Sequence, residues 1–149
     1  MKMNPWFFAL ALVAAAPFAS AKTCPVAIEA NDQMQYNLKE IKVGADCTEV
    51  EVTLKHVGKL PATAMGHNWV LAATPDMAAV ANAGVAMGLA NNYLHLPDAR
   101  VLVHTKIIGG GETTSVKFST SALKKGGDYS FFCSFPGHWA LMHGKFLFG

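Results

Sequence analysis

From residue 49 to residue 56 the chain reads EVEVTLKH, with Val50, Val52, Leu54 and His56 alternating with Glu49, Glu51, Thr53 and Lys55. A period of two with one apolar row dictates a strand that buries one face and wets the other. Short runs at 26–30, 36–43, 70–72, 101–108, 116–119, 129–134 and 145–148 have a similar character. Gly58, the glycines at 109–111 and 126–127, and Pro136-Gly137 punctuate them. Many short strands at this spacing predict an all-β sandwich or barrel. One segment departs from the pattern. Between 75 and 89, Met77, Val80, Ala81, Val85 and Leu89 follow a helical spacing. Thr74 is placed to cap it and Pro75 to open it, although Gly84 and Gly88 weaken it. The reading is one short helix packed outside the sheets.

The charge balance narrows the function classes. Twelve Lys plus Arg face ten Asp plus Glu, a formal net charge of +2, too small for a nucleic-acid footprint. With 15% charged and 52% hydrophobic residues, the chain is no disordered tail. Its 149 residues suit one domain and leave no room for an enzyme with a separate cofactor-binding half. No nucleotide-binding G-x-G-x-x-G or P-loop is present.

Residues 5–21 read PWFFALALVAAAPFASA, uncharged, after Lys2 and ending in Ala19-Ser20-Ala21. A basic start, an apolar run and an A-x-A-like end predict a secretory signal peptide over 1–21, cleaved after Ala21. The run is marginally short for a membrane anchor, and Pro17 with its small neighbours fits processing better. No lipid-attachment pattern precedes Cys24. The domain then spans 22–149 and carries no membrane span. In an oxidising compartment disulfides form, and three cysteines leave one over. Cys24 and Cys47 flank early strand-like runs, and joining them closes a loop worth about 3 kcal/mol in the chain-entropy model. The sequence alone permits the other two pairings as well.

Cys133 lies in FFCSFPGHWALMHG, residues 131–144, with His138 and Met142 downstream. Singly, these are a buried small hydrophobe, a turn histidine and core filler. Together they have a geometry. Cys133 ends a strand, Pro136 and Gly137 turn the chain, His138 returns beside the cysteine, and Met142 follows. Thiolate, imidazole and thioether from one loop suit a soft metal, with copper first. A second imidazole has five candidates, His56, His67, His95, His104 and His143. His67 stands out because it lies in MGHNWV, after Gly66, whose carbonyl oxygen is free to approach a metal. Two His, one Cys and a weak axial Met form a blue-copper electron-transfer set.

On these residues the chain resembles the azurins, the bacterial periplasmic blue-copper proteins of the cupredoxin family. The likeness covers nearly all of residues 24–149, through NDQMQYN (31–37), MGHNWVL (65–71), HTKIIGGGE (104–112) and FFCSFPGHWALM (131–142). It implies an eight-stranded Greek-key β-sandwich with one short external helix and a Cys24–Cys47 disulfide. It implies one copper ion cycling between Cu(I) and Cu(II), with His67, Cys133 and His138 as equatorial ligands. Met142 would be a long axial ligand, opposite the Gly66 carbonyl. Asn68 would tie the His67 segment to the Cys133 loop, Ser134 would add a hydroxyl, and Phe135 would pack over the site. Trp69 matches the family's buried tryptophan, and Trp139 holds a variable position. The resemblance further implies a monomeric periplasmic carrier, not an enzyme. Its transient partners would be redox proteins such as c-type cytochromes or a nitrite reductase.

Other histidines have plainer readings. His56 shares the inward parity of Val50 and predicts a core imidazole satisfied by a backbone carbonyl, although its azurin counterpart sits near copper and titrates. His104 reads as surface, and His95 and His143 as solvated. Around His138 an apolar partner patch is predicted from Leu60, Met65, Phe135, Pro136, Trp139, Ala140 and Leu141, with Leu141 the one expected to turn into the core. Three rivals are a cysteine hydrolase using Cys133 with a histidine base, a copper storage or delivery protein, and a zinc site.

Overall fold

The computed structural model describes residues 21–149. The signal-peptide reading falls almost wholly on residues 1–20, outside the described residues. Among the latter, no helix is long and apolar enough to cross a membrane.

Among the described residues nine strands form two sheets. They are β1 (Thr23–Asn31), β2 (Gln35–Tyr36), β3 (Glu40–Val43), β4 (Glu49–His56), β5 (Val70–Ala73), β6 (Val103–His104), β7 (Thr113–Ser119), β8 (Tyr129–Phe132) and β9 (His143–Phe148). One sheet has the order β2-β1-β4-β7 and the other β3-β9-β8-β5-β6. The pairs β1–β4 and β3–β9 are parallel, and the remaining pairs are antiparallel. The expected sandwich of eight candidate strands is therefore present, and the ninth strand arises at one place. The stretch 36–43 changes sheets midway. Asn37 N–H still donates to the Glu29 carbonyl in β1 and its side-chain Oδ1 accepts from Glu29 N–H, whereas the Lys39 carbonyl accepts from Lys145 N–H in β9.

The alternation in β4 buries Val50, Val52, Leu54 and His56 completely. They meet Phe131 and Phe146 from the opposite sheet, and Trp69 stacks between the two layers with Phe118 and Phe131 at about 6 Å. Cys24 and Cys47 form a disulfide, and their Cα atoms lie 5.8 Å apart.

Among the described residues two short α-helices interrupt the strands, α1 (Ala62–Met65) and α2 (Met77–Gly84). α2 lies outside the sheet as expected. Its Val80 and Ala81 pack on Val70, Ala72 and Phe132, so β5 and β8 are covered on both faces. Thr74 does not cap this helix. It opens a 3-10 turn with Pro75, and its hydroxyl donates instead to Asp128 at 2.8 Å. The candidate strand 101–108 pairs only at Val103–His104 and, one residue out of register, at the bridge between Ile108 and His67.

Candidate metal centre

β5 and β8 are antiparallel neighbours, with Val70 opposite Phe132. The residues just before β5 and just after β8 therefore meet at one end of the sandwich. These are His67 and Cys133. The chain leaving Cys133 turns at once. Gly137 adopts φ 80°, a left-handed conformation that a Cβ would oppose, and His138 N–H closes on the Phe135 carbonyl at 2.9 Å. The Met142 N–H returns to the His138 carbonyl, and the Cys133 N–H donates to the Met142 carbonyl at 3.0 Å. The loop is thus tied at both ends.

The result is a cluster of three buried donors, His67, Cys133 and His138, whose ligand atoms lie within 4.8 Å of one another. Cys133 Sγ is 3.8 Å from His67 Nδ1 and 3.7 Å from His138 Nδ1. With metal–sulfur and metal–nitrogen bonds of about 2.3 and 2.0 Å, a trigonal site spaces sulfur and nitrogen by about 3.7 Å. The donor set therefore fits one first-row metal ion between its members. Gly66 carbonyl oxygen lies 3.9 Å from the sulfur. A Cβ on Gly66 would meet the Ala62 carbonyl at 2.5 Å, so only glycine lets this backbone come so close. Met142 is fully buried beneath the loop.

The outer nitrogen of His67 donates to the Asn31 carbonyl at 2.8 Å, which leaves Nδ1 as the unprotonated, metal-facing atom. His138 differs. Its Nε2 has no hydrogen-bond partner among the described residues, yet it is not one of their enclosed unpaired atoms. Burial pushes both imidazoles down to about 4, and the neighbouring His56 and His138 charges add to the effect at His67. At neutral pH both rings are therefore uncharged, with lone pairs available. Burial also pushes the Cys133 thiol up to about 12, against the opposing pull of the Asn68 and Phe135 N–H groups. A cation entering the site must therefore expel the thiol proton.

Around the donors, Asn68 Nδ2 donates to Ser134 Oγ at 2.8 Å, and Ser134 N–H donates to Asn68 Oδ1 at 2.9 Å. This is the tie expected between the two segments. Phe135 packs against His138 with ring centroids 4.5 Å apart. His56 is a core imidazole with both nitrogens satisfied. Its Nδ1 accepts from Gly58 N–H at 3.0 Å and its Nε2 donates to the Met65 carbonyl at 2.9 Å. Its ring stacks on His67, with centroids 4.6 Å apart. His95 and His143 are exposed and His104 half-buried, all outside the donor cluster.

Some contributors were not visible in the sequence. Asn92 accepts Ser134 Oγ–H on its carbonyl at 2.7 Å and Ile107 N–H on its side chain at 2.8 Å. Its φ of 54° is a conformation asparagine tolerates, and only the NN turn signal at 91–92 hints at it. The NDQMQYN landmark also acquires roles. Asn31 holds His67, Asp32 accepts the N–H groups of Lys59 and Leu60, and Tyr36 reaches the Asn68 carbonyl.

The apolar residues around His138 sort differently from expectation. Leu141 does not enter the core. It is 59% exposed, because the 3-10 turn His138–Ala140 sends Met142 inward and leaves its neighbour outside. Leu60 and Ala140 are exposed, and Met65, Phe135 and Pro136 are half-buried. Trp139 leans into the second core cluster beside Phe132 and Val80.

Over residues 22–148 the sequence matches the family described as copper binding proteins, plastocyanin/azurin family. It is 55% identical to the azurin of Bordetella pertussis over 137 residues, covering 91% of each chain. It is 54% identical to the azurin of Alcaligenes faecalis over 126 residues, covering 85% of this chain and 98% of that one. A solved azurin (Az-iso2) from Methylomonas sp. strain J superposes with a TM-score of 0.82 at 45% identity, covering 85% of this chain and 98% of that chain. With the copper-type donor cluster, the sandwich and these relatives in agreement, the chain belongs to the plastocyanin/azurin family of copper-binding proteins.

Proposed function

We propose that residues 22–149 form a periplasmic type 1 (blue) copper protein, exported by the leader at 1–21, that carries single electrons between redox partners. The observation that carries this reading is the buried triad His67, Cys133 and His138, whose sulfur–nitrogen spacings of 3.7–3.8 Å match one ion. Met142 and the Gly66 carbonyl would add weaker donors to the triad. When bound, copper supplies a reversible one-electron Cu(I)/Cu(II) couple. The chain's own part is to hold the donors still. The disulfide spends the other two cysteines, so Cys133 remains the one thiol among the described residues.

The proposed role is transfer rather than catalysis. The exposed apolar side chains near His138 suit brief contact with periplasmic redox proteins such as c-type cytochromes or a nitrite reductase. The visible spectrum of the copper-loaded protein tests the reading. An intense blue thiolate-to-Cu(II) band is expected, and a colourless copper complex would defeat it. Zinc in the same site gives no colour.

A further inference from the structure

The strand register slips by one residue beside His67. Val70 and Leu71 pair with His104 and Val103, whereas His67 pairs with Ile108. The residues Thr105, Lys106 and Ile107 therefore face only Asn68 and Trp69, which makes a β-bulge. A bulge leaves backbone groups outside the ladder, and in a buried segment each of them needs a partner. Here side chains provide several of these partners. Tyr36 Oη donates to the Asn68 carbonyl. Trp69 N–H donates to Thr105 Oγ1 at 2.9 Å. That carbonyl and that N–H are the two ends of one peptide group. A hydroxyl from β2 in the first sheet holds one end, and a hydroxyl just past β6 in the second sheet holds the other. Tyr36, Asn68, Trp69 and Thr105 are all buried, so solvent is poorly placed to replace either bond.

What this peptide carries matters to the centre. It joins Asn68, whose own N–H, on the preceding peptide, favours the Cys133 thiolate and whose side chain exchanges two hydrogen bonds with Ser134 on the Cys133 loop. We infer that Tyr36 and Thr105 are positioning residues of the metal centre, clamping the 68–69 peptide from both sheets so that Asn68 meets the Cys133 segment in a fixed orientation. An N–H donated to a thiolate withdraws charge from it and favours the reduced metal. Loosening the clamp therefore lowers the reduction potential. The inference rests on the copper reading for its potential and on the polypeptide alone for its geometry.

The test compares Tyr36→Phe, Thr105→Val, Thr105→Ser and Tyr129→Phe. The Tyr129 hydroxyl accepts from Lys124 N–H at the other end of β8 and serves as the control. In the metal-free protein, amide exchange at Trp69 is read against Val52 in β4, which reports global opening. The Trp69-to-Val52 ratio should rise about tenfold in Tyr36→Phe and Thr105→Val, and stay at the wild-type level in Thr105→Ser and Tyr129→Phe. In the copper-loaded protein the first two variants should lose between about threefold and tenfold in the ratio of Cu(I) to Cu(II) affinity. A tenfold loss is about 59 mV on a one-electron couple. Thr105→Ser, which keeps the hydroxyl, should restore the potential. Unchanged exchange and potential in both hydroxyl-deleted variants overturns the clamp, as do equal changes in Tyr129→Phe. A wild-type protein that stays colourless with copper overturns the carrier reading, and the metal-free exchange still decides the clamp.

Discussion

The two imidazoles of the centre are held in opposite ways. His67 is built into the sandwich. Its outer nitrogen is tied to Asn31, its ring stacks on His56, and its backbone pairs with Ile108. His138 rides on the ten-residue loop 133–142 between β8 and β9, closed where Cys133 N–H meets the Met142 carbonyl, and its outer nitrogen is not enclosed. One arm supplies rigidity and the other supplies access. A carrier needs both, because reorganisation slows electron transfer while complete burial lengthens its path.

Removing what the arms share has the largest expected effect. Cys133→Ser replaces the sulfur with a hydroxyl of similar shape, so circular dichroism should report an intact fold while the blue band and redox cycling vanish. A blue Ser variant would mean that Cys133 is not the thiolate in question.

The accessible arm is probed next. Ala140 is exposed beside His138. Ala140→Asp should slow electron self-exchange by two orders of magnitude or so at low salt, since two copies must bring like charges together. The absorption spectrum should stay as it was. Unaltered self-exchange would move the electron's exit away from this loop.

The rigid arm should answer differently. Asn68→Ala removes both hydrogen bonds to Ser134, and loss of such supporting partners costs about 10–100-fold in metal affinity. Competition with a chelator measures this. If Asn68→Ala matched wild type there, the two segments would be held by packing alone.

The smallest effect comes from protons. Both imidazoles lie near 4 in the folded metal-free protein, below the ordinary 6.5, so unfolding takes up protons between those values. Their contribution to stability is complete above about pH 6.5 and is lost as the pH falls towards 4. Denaturant midpoints of metal-free protein at pH 7, 5.5 and 4 should decline in that order. A flat series would show the rings to be solvated.

Much of the centre could be read from the chain because it lies on local patterns. Cys133, His138 and Met142 share one loop, and the parity of β4 put His56 inside. What escaped reading was set by contacts distant in sequence. Asn92 and Tyr36 meet the site across 42 and 32 residues, and no local periodicity records such meetings. Thr74 looked like a helix cap by position, yet Asp128, 54 residues away, takes its hydroxyl. Leu141 reads as the member of the apolar run that enters the core, whereas the phase of a single 3-10 turn leaves it outside. The sheet change at 37–39 left one trace that a single-strand reading passes over: the apolar parity moves from Tyr36 and Leu38 to Ile41 and Val43, with Lys39-Glu40 between them.

The order of the second sheet has a consequence for biosynthesis. β9, at residues 143–148, stands between β3 and β8 rather than at an edge. Until those residues have emerged from the ribosome, β3 and β8 lack a shared neighbour and the loop that carries His138 has no anchored far side. The donor triad therefore reaches its folded geometry only once β9 has paired on both sides.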